Sequence, residues 1–376
     1  MMKRNLLVTI LLGLIVCNLQ AANSAYVTEI IDYRPAPGQH INRLFPPADK
    51  SDSHENAVAW AATQLVGKTN GLVGLGAFGG YIIVGFDHSI VNVAEEYDFK
   101  VYGNAFANGA EPGIVMVCQD LNGNGVPDND EPWYELAGSD YQLSSTIKNY
   151  EITYTRPNPD LQKSHIQWTD NQGGSGQVTH ISFASQSTMY PLWITDNTLT
   201  FRGTKLVGNA VQNGSNFTLP ALSWGYADNQ ANNSTNDKTS FNIDWAVDAS
   251  GNPVQLSHID FIKIYTAMVQ EAGWLGETST EIAGVEDLHP NASLPTVIHS
   301  QENKQMYIQN PFNETLIVKA NENCEMILYT ISGNLIGKYM ITPGENTITT
   351  SQLPTGNYIV HIINTKQNHI YKLIKH

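Results

Sequence analysis

The twelve residues 120–131 read Asp-Leu-Asn-Gly-Asn-Gly-Val-Pro-Asp-Asn-Asp-Glu. Counted from Asp120, oxygen-bearing side chains stand at positions 1, 3, 5, 9 and 12, with a glycine at 6. That order is the ligand pattern of a calcium loop. A hard divalent cation takes roughly six to eight oxygens at about 2.3–2.6 Å, and a short segment supplies them only by curling back on itself. Gly125 permits the turn because it carries no Cβ. The expected ligands are Asp120, Asn122, Asn124, the Val126 carbonyl, Asp128 directly or through water, and both oxygens of Glu131. A polar hairpin tip without metal is the alternative reading of the same residues. The flanks constrain the fold most. Residues 113–119 and 133–136 read as strands and not as amphipathic helices, so the loop closes a β-hairpin. Calcium here is expected to brace two strands, not to open a pair of helices.

The same period of two governs most of the chain. Residues 72–75, 81–86, 97–102, 150–154, 165–168, 181–183, 199–201, 242–245 and 258–265 are strand-like and separated by Gly- and Asn-rich turns. Residues 25–47, with Pro35, Pro37, Pro46 and Pro47, read as an edge strand and an extended lead-in. One helix is expected over 53–66. Asp52 and Glu55 form its capping box, Ala57, Val58, Ala61 and Leu65 its buried stripe, and Gly67 its end. The fold class is mostly β: a large β-sandwich with one peripheral helix, followed by a smaller sandwich. Gly74-Leu-Gly-Ala-Phe-Gly79 matches the spacing of a phosphate loop, but a strand follows it where a helix would be needed.

Residues 1–25 read as an export signal: Lys3 and Arg4, an apolar run over 6–16, then Ala21, Ala22 and Ala25 for cleavage. Ordinary cleavage is favoured over a lipid anchor at Cys17, because bulky Val16 precedes the cysteine. No later segment has the length of a transmembrane helix. Cys118 and Cys324 remain after the signal and are expected to be buried, unpaired thiols. Residues 26–300 carry 12 Lys+Arg against 30 Asp+Glu, whereas 301–376 carry 6 against 5. The acidic part has no basic stripe for a phosphate backbone, which excludes nucleic acid as a partner. The charge break places the large domain at 26–283, a Pro-containing linker at 284–303 and a small domain at 304–376.

Several stretches carry a family resemblance. They are Gly-Ala-Phe-Gly-Gly-Tyr-Ile-Ile-Val-Gly-Phe (76–86), Tyr-Asp-Phe-Lys-Val-Tyr-Gly-Asn-Ala-Phe (97–106), Glu-Pro-Gly-Ile-Val-Met-Val (111–117), Trp-Tyr-Glu-Leu-Ala-Gly-Ser (133–139), Trp-Gly-Tyr-Ala-Asp-Asn (224–229) and Ile-Asp-Phe-Ile-Lys-Ile-Tyr (259–265). Together they resemble a family of secreted and surface proteins of Bacteroidetes, and they are similar to jelly-roll, galactose-binding-like sandwiches. The resemblance implies a jelly-roll-like large domain that is non-catalytic, and some family members are grouped with corrinoid (vitamin B12) uptake. Asn-Pro-Phe-Asn-Glu-Thr-Leu-Ile-Val (310–318), Leu-Tyr-Thr-Ile-Ser-Gly-Asn-Leu (328–335), Leu-Pro-Thr-Gly-Asn-Tyr-Ile-Val (353–360) and Lys-Leu-Ile-Lys (372–375) resemble the type A sorting domain of the type IX secretion system. That implies an Ig-like small domain, a translocon as partner, and delivery across the outer membrane to the surface or the medium.

The chain holds no Gly-x-Ser-x-Gly elbow and no His-Glu-x-x-His helix. Acids are abundant, so a hydrolase with two carboxylates stays as a second alternative. Trp224, Tyr226, Asp228 and Asn229 in one stretch, and Trp274 near Glu277 in another, form the candidate ligand surface. Aromatic area with polar edges suits a corrinoid or a glycan; the alternative is that these residues fill the sandwich. Asp244 with Asp248, or Asp98 with Asn104, are read as turn and strand caps in preference to a second cation site. The reading is a secreted, non-catalytic, calcium-stabilised binding protein for a corrinoid or, alternatively, a glycan.

Overall fold

The computed structural model describes residues 22–42, 47, 52–157, 164–181, 188–234, 238–292, 306–330, 334–363 and 368–375. The expected signal core, the end of the expected 181–183 strand, most of the linker and Ser332-Gly333, where a turn of the small domain is expected, lie outside the described residues. The chain forms two compact units, 1–292 and 293–376, and it is mostly β with antiparallel sheets and one α-helix among the described residues.

The first unit is built on a six-stranded sheet ordered Glu29–Arg34, Tyr81–Val91, His258–Thr266, Gly113–Cys118, Tyr134–Leu136, Ala246–Val247. Alternation sends Ile82, Val84, Val115, Val117, Ile262 and Ile264 to one face, where they join the largest apolar core. Helix His54–Leu65 covers this face with Ala57, Trp60, Ala61 and Leu65. Ser53 is its N-cap, accepting from the Asn56 N–H, while Asp52 accepts from the Asn56 side chain. The expected box shifts by one residue because the serine oxygen, one position nearer the helix, reaches the free amide. On the opposite face Ile114 and Tyr265 pack with Tyr150, Ile152, Tyr154, Ile166, Val178 and Phe201 of a four-stranded sheet ordered Thr198–Lys205, Ile147–Thr155, Ile166–Asp170, Ser175–Val178. Phe78 stands edge-on to both Tyr150 and Tyr265, and the Thr204 N–H donates to the Tyr265 hydroxyl at 2.8 Å, which ties the two sheets.

Two expectations change. Residues 243–245 form a 3-10 turn, not a strand, because the Asn242 side chain accepts from the Asp244 N–H and caps a turn locally. Gly284–Asp287, assigned above to the linker, is a strand paired with Phe99–Tyr102, with Val285 fully buried. The first unit therefore runs past residue 283.

The second unit packs a three-stranded sheet (Met306–Ile308, Thr315–Ala320, Gly344–Thr349) and a four-stranded sheet (Leu335–Ile341, Cys324–Thr330, Gly356–Ile363, Asn368–Lys375) around Phe312, Leu316, Val318, Met326, Leu328, Val360 and Leu373. Cys118 and Cys324 are buried free thiols in different units. No helix among the described residues is long and apolar enough to cross a membrane.

Candidate ligand cleft and cation-binding clusters

Strands Gly113–Cys118 and Tyr134–Leu136 are antiparallel neighbours, with Met116 opposite Glu135 and Val117 opposite Tyr134. The 120–131 segment thus closes a hairpin. Its geometry follows from carboxylates collecting backbone donors. Asp120 accepts from the N–H groups of Gly123, Asn124 and Gly125. Glu131, only 4% exposed, accepts from those of Leu121 and Asp128. Slight burial pushes the Asp120 carboxyl upward, but the three amides outweigh it and hold the group below its ordinary range. Gly125 has φ +82°, the left-handed value its position requires. Asn122 and Asn124 both point their amide nitrogens at one oxygen of Asp128, each at 2.7 Å. These three side chains therefore converge on one point, and each asparagine carbonyl keeps a lone pair beyond the single backbone N–H it accepts. The loop offers oxygen ligands, the set that suits calcium; Asp120, Asn122, Asn124, Val126, Asp128 and Glu131 would hold it, with the two asparagine amides turned to present Oδ1 in place of the nitrogens that now face Asp128.

A second acidic cluster lies inside the fold. Oxygens of Glu111, Asp228 and Glu281 come within 4.8 Å of one another, and this buried triad can hold a metal ion. Asp228 accepts from the N–H groups of Asn104, Ala105 and Glu281, so backbone donors hold it in place. Burial, together with the charge of Glu111, pushes Asp228 up to about 8, and burial pushes Glu111 up to about 7. Glu281 moves well upward for the same reason, aided by the charges of Glu111 and Asp228. Three carboxylates so placed require protons or a cation.

The residues expected to form a ligand surface are divided by this packing. Tyr226, Asp228 and Asn229 are each 1% exposed. The Tyr226 hydroxyl accepts from the Asp140 N–H, and Asn229 braces the backbone of Leu222 at both its N–H and its carbonyl. Their local role is structural because backbone groups take up their polar atoms. Trp224 is 40% exposed and leans on Trp245, with ring centroids 4.7 Å apart; Trp274 is 64% exposed on a separate 3-10 turn, Gly273–Leu275. Asp98 and Asp248 cap local backbone, as expected: Asp98 accepts from Val93 and Ile243, and Asp248 from Ser250 and Asn252.

A concavity lies elsewhere, on the face of the six-stranded sheet beside the four-stranded one. Its volume is about 830 Å³. The floor is one rung of paired residues, in which Val247 lies opposite Glu135, Glu135 opposite Met116, and Met116 opposite Lys263. Directly paired residues share a face, so these four side chains stand side by side. Lys148, Glu151 and Arg202 form one wall, and Trp133 and Tyr141 add aromatic surface. Burial raises the Glu135 carboxyl, although the Thr204 hydroxyl donates to it and Lys148 is nearby. Burial pulls the Lys148 ammonium down to about 8, against the pull of Glu135. Spacing gave no sign of this site: Glu135, Lys148, Arg202 and Lys263 come from four different strands.

Residues 309–376 match the family model described as the secretion system C-terminal sorting domain. The chain is thus a cargo protein carrying a C-terminal sorting domain. That domain is the one read by the type IX secretion system, so the protein is exported across the outer membrane to the surface or medium and engages that machinery. Among curated protein sequences there is no match. Among solved structures the chain is similar to a Faecalibacterium prausnitzii β-glucuronidase, at 8% identity and TM-score 0.19, over 75% of this chain and 47% of the other. It is also similar to PorZ, a surface component of the type IX secretion system of Porphyromonas gingivalis, at 11% identity and TM-score 0.17, over 81% and 43%. The chain spans less than half the length of either structure.

Proposed function

We propose that the first unit is a non-catalytic, calcium-stabilised binding module delivered to the cell surface, and that its ligand lies in the 830 Å³ cleft. The cleft carries this reading: it falls within the range of about 300–1,000 Å³ usual for small-molecule sites and combines aromatic area with a few convergent polar groups. A saccharide suits that lining best, because Trp133 and Tyr141 offer apolar faces while Glu135, Glu151 and Arg202 offer hydrogen-bonding edges. In support of a non-catalytic role, Glu151 is engaged by Arg202 and Glu135 by the Thr204 hydroxyl, so neither carboxylate is held ready for a water or a glycosidic oxygen.

The resemblance of the large domain to Bacteroidetes surface proteins adds a corrinoid as the competing ligand. Isothermal titration of the intact protein with a panel of oligosaccharides and with cyanocobalamin decides between them. Saccharide binding that weakens at least tenfold in Trp133→Ala supports the cleft. Silence toward every saccharide, or binding indifferent to Trp133, overturns the saccharide reading; micromolar binding of cyanocobalamin would replace it with the corrinoid one. For calcium, a melting temperature identical in calcium and in chelator would refute the brace.

A further inference from the structure

Resting on the cleft reading above, we propose that its ligand is an acidic saccharide, whose carboxylate or sulfate is received between Lys148 and Lys263. The acids of the cleft are already satisfied. Glu151 pairs with Arg202, Glu135 accepts from the Thr204 hydroxyl, and Asp248 accepts from the N–H groups of Ser250 and Asn252 and from the Asn252 side chain. The ammonium groups have a carboxylate charge in the neighbourhood, Glu135 for Lys148 and Asp32 for Lys263, but neither nitrogen donates a hydrogen bond among the described residues. The Lys148 nitrogen is buried and has no hydrogen-bond acceptor; it rests over the ring of Tyr141. The Lys263 nitrogen lies 4.0 Å from the centroid of Tyr81 and has no acceptor among the described residues.

Each ammonium carries three N–H donors. An aromatic face attracts the charge but takes up none of the donors in a directed hydrogen bond. Leaving such groups unmade in a shielded place is costly, and an anion bearing several oxygens removes the cost for both at once. The placement is also selective. The first unit is strongly acidic, with 12 Lys+Arg against 30 Asp+Glu over residues 26–300, yet three of those cations, Lys148, Arg202 and Lys263, line this one cleft. A sugar ring lying on Trp133 and Tyr141 would carry the acidic group toward the rung on which Lys263 stands beside Met116. Neutral sugars would leave both ammoniums as they are.

The test is titration of the intact protein with trigalacturonate, a hyaluronan tetrasaccharide and a chondroitin sulfate tetrasaccharide, against cellotetraose and maltotetraose as neutral controls. Acidic probes should bind at least tenfold more tightly than neutral ones, and raising salt from 50 to 500 mM should weaken only the acidic ones. Lys148→Met and Lys263→Met keep the apolar stem and remove the charge; each should cost the acidic probes tenfold or more, and Lys148→Arg should restore part of the loss. Unchanged melting temperatures show that the variants are folded. Preference among the acidic probes separates carboxylate from sulfate. Equal binding of acidic and neutral probes, or acidic binding untouched by both methionine variants, overturns the inference while leaving the cleft as a saccharide site. Silence toward every probe overturns both.

Discussion

Met116 and Glu135 face each other directly across the hairpin that the 120–131 loop closes, and both side chains line the cleft. The residues that would hold calcium and those that would hold a ligand are thus carried on the same two strands. Emptying the loop should loosen the return strand, which bears Glu135, with Trp133 just ahead of it. Asp120→Ala combined with Glu131→Ala should lower the melting temperature in calcium to the chelator value and weaken ligand binding in parallel. A scanning-fluorimetry series with and without chelator, paired with titration, checks both.

The Glu111–Asp228–Glu281 triad sets a pH dependence. Its carboxyl groups have folded-state pKa values raised to about 7 for Glu111 and about 8 for Asp228, against ordinary values near ~4 in an unfolded chain. The folded state therefore binds more protons, and this contribution is full below about pH 4 and is lost as pH rises through about 8. In chelator, stability should fall between pH 5 and 8; added divalent cation should restore it most at the alkaline end. Glu111→Gln should flatten the slope, because an amide replaces a proton-sharing acid. Urea midpoints across that range measure it.

Thr204 donates its hydroxyl to half-buried Glu135. Thr204→Val keeps the shape and removes the donor, leaving a carboxylate oxygen short of a partner, at a cost of about 1–3 kcal/mol. Chemical denaturation reads the loss directly.

Gly138 lies against Tyr226: a Cβ there would sit 2.5 Å from the ring and 2.9 Å from the Gly225 carbonyl. Gly138→Ala should destabilise the unit by about 1–3 kcal/mol through overpacking, whereas Gly214→Ala has open space but strained backbone at φ +64° and should cost only about 1 kcal/mol. Melting temperatures of the two variants should differ accordingly.

Removal of residues 301–376 should leave the protein in the periplasm, since the sorting domain lies within that stretch. Fractionation of the host cells distinguishes this from surface delivery.

Much of the fold was legible because burial alternates with the strand period. Residues 81–86 and 258–265 belong to central strands whose two faces are both covered, and their apolar content declares them. The hairpin around 120–131 was legible because loop and strands occupy one continuous stretch. The cleft was not. Its lysines and glutamate come together through strand register, as in the rung Lys263–Met116–Glu135, and register between distant strands leaves no local trace. The triad was hidden for the same reason, with Asp228 read as surface because it adjoins aromatics in sequence. Trp224 does stay half-exposed, but Tyr226 and Asp228 turn inward to meet backbone donors that a linear reading does not reveal.

Strand Tyr134–Leu136 has three residues, and its pairing with Gly113–Cys118 is limited to two residue pairs. A strand so short has little hold on its own register, even with Ala246–Val247 paired on its other edge, so whatever fastens its ends adds to its hold. Calcium loops of extracellular modules have affinities of about 10⁻⁴–10⁻³ M, which a cell interior does not satisfy and the surroundings do. A cation held by the loop would therefore set how firmly Glu135 is presented to the cleft, and that firmness would follow the calcium concentration of the medium.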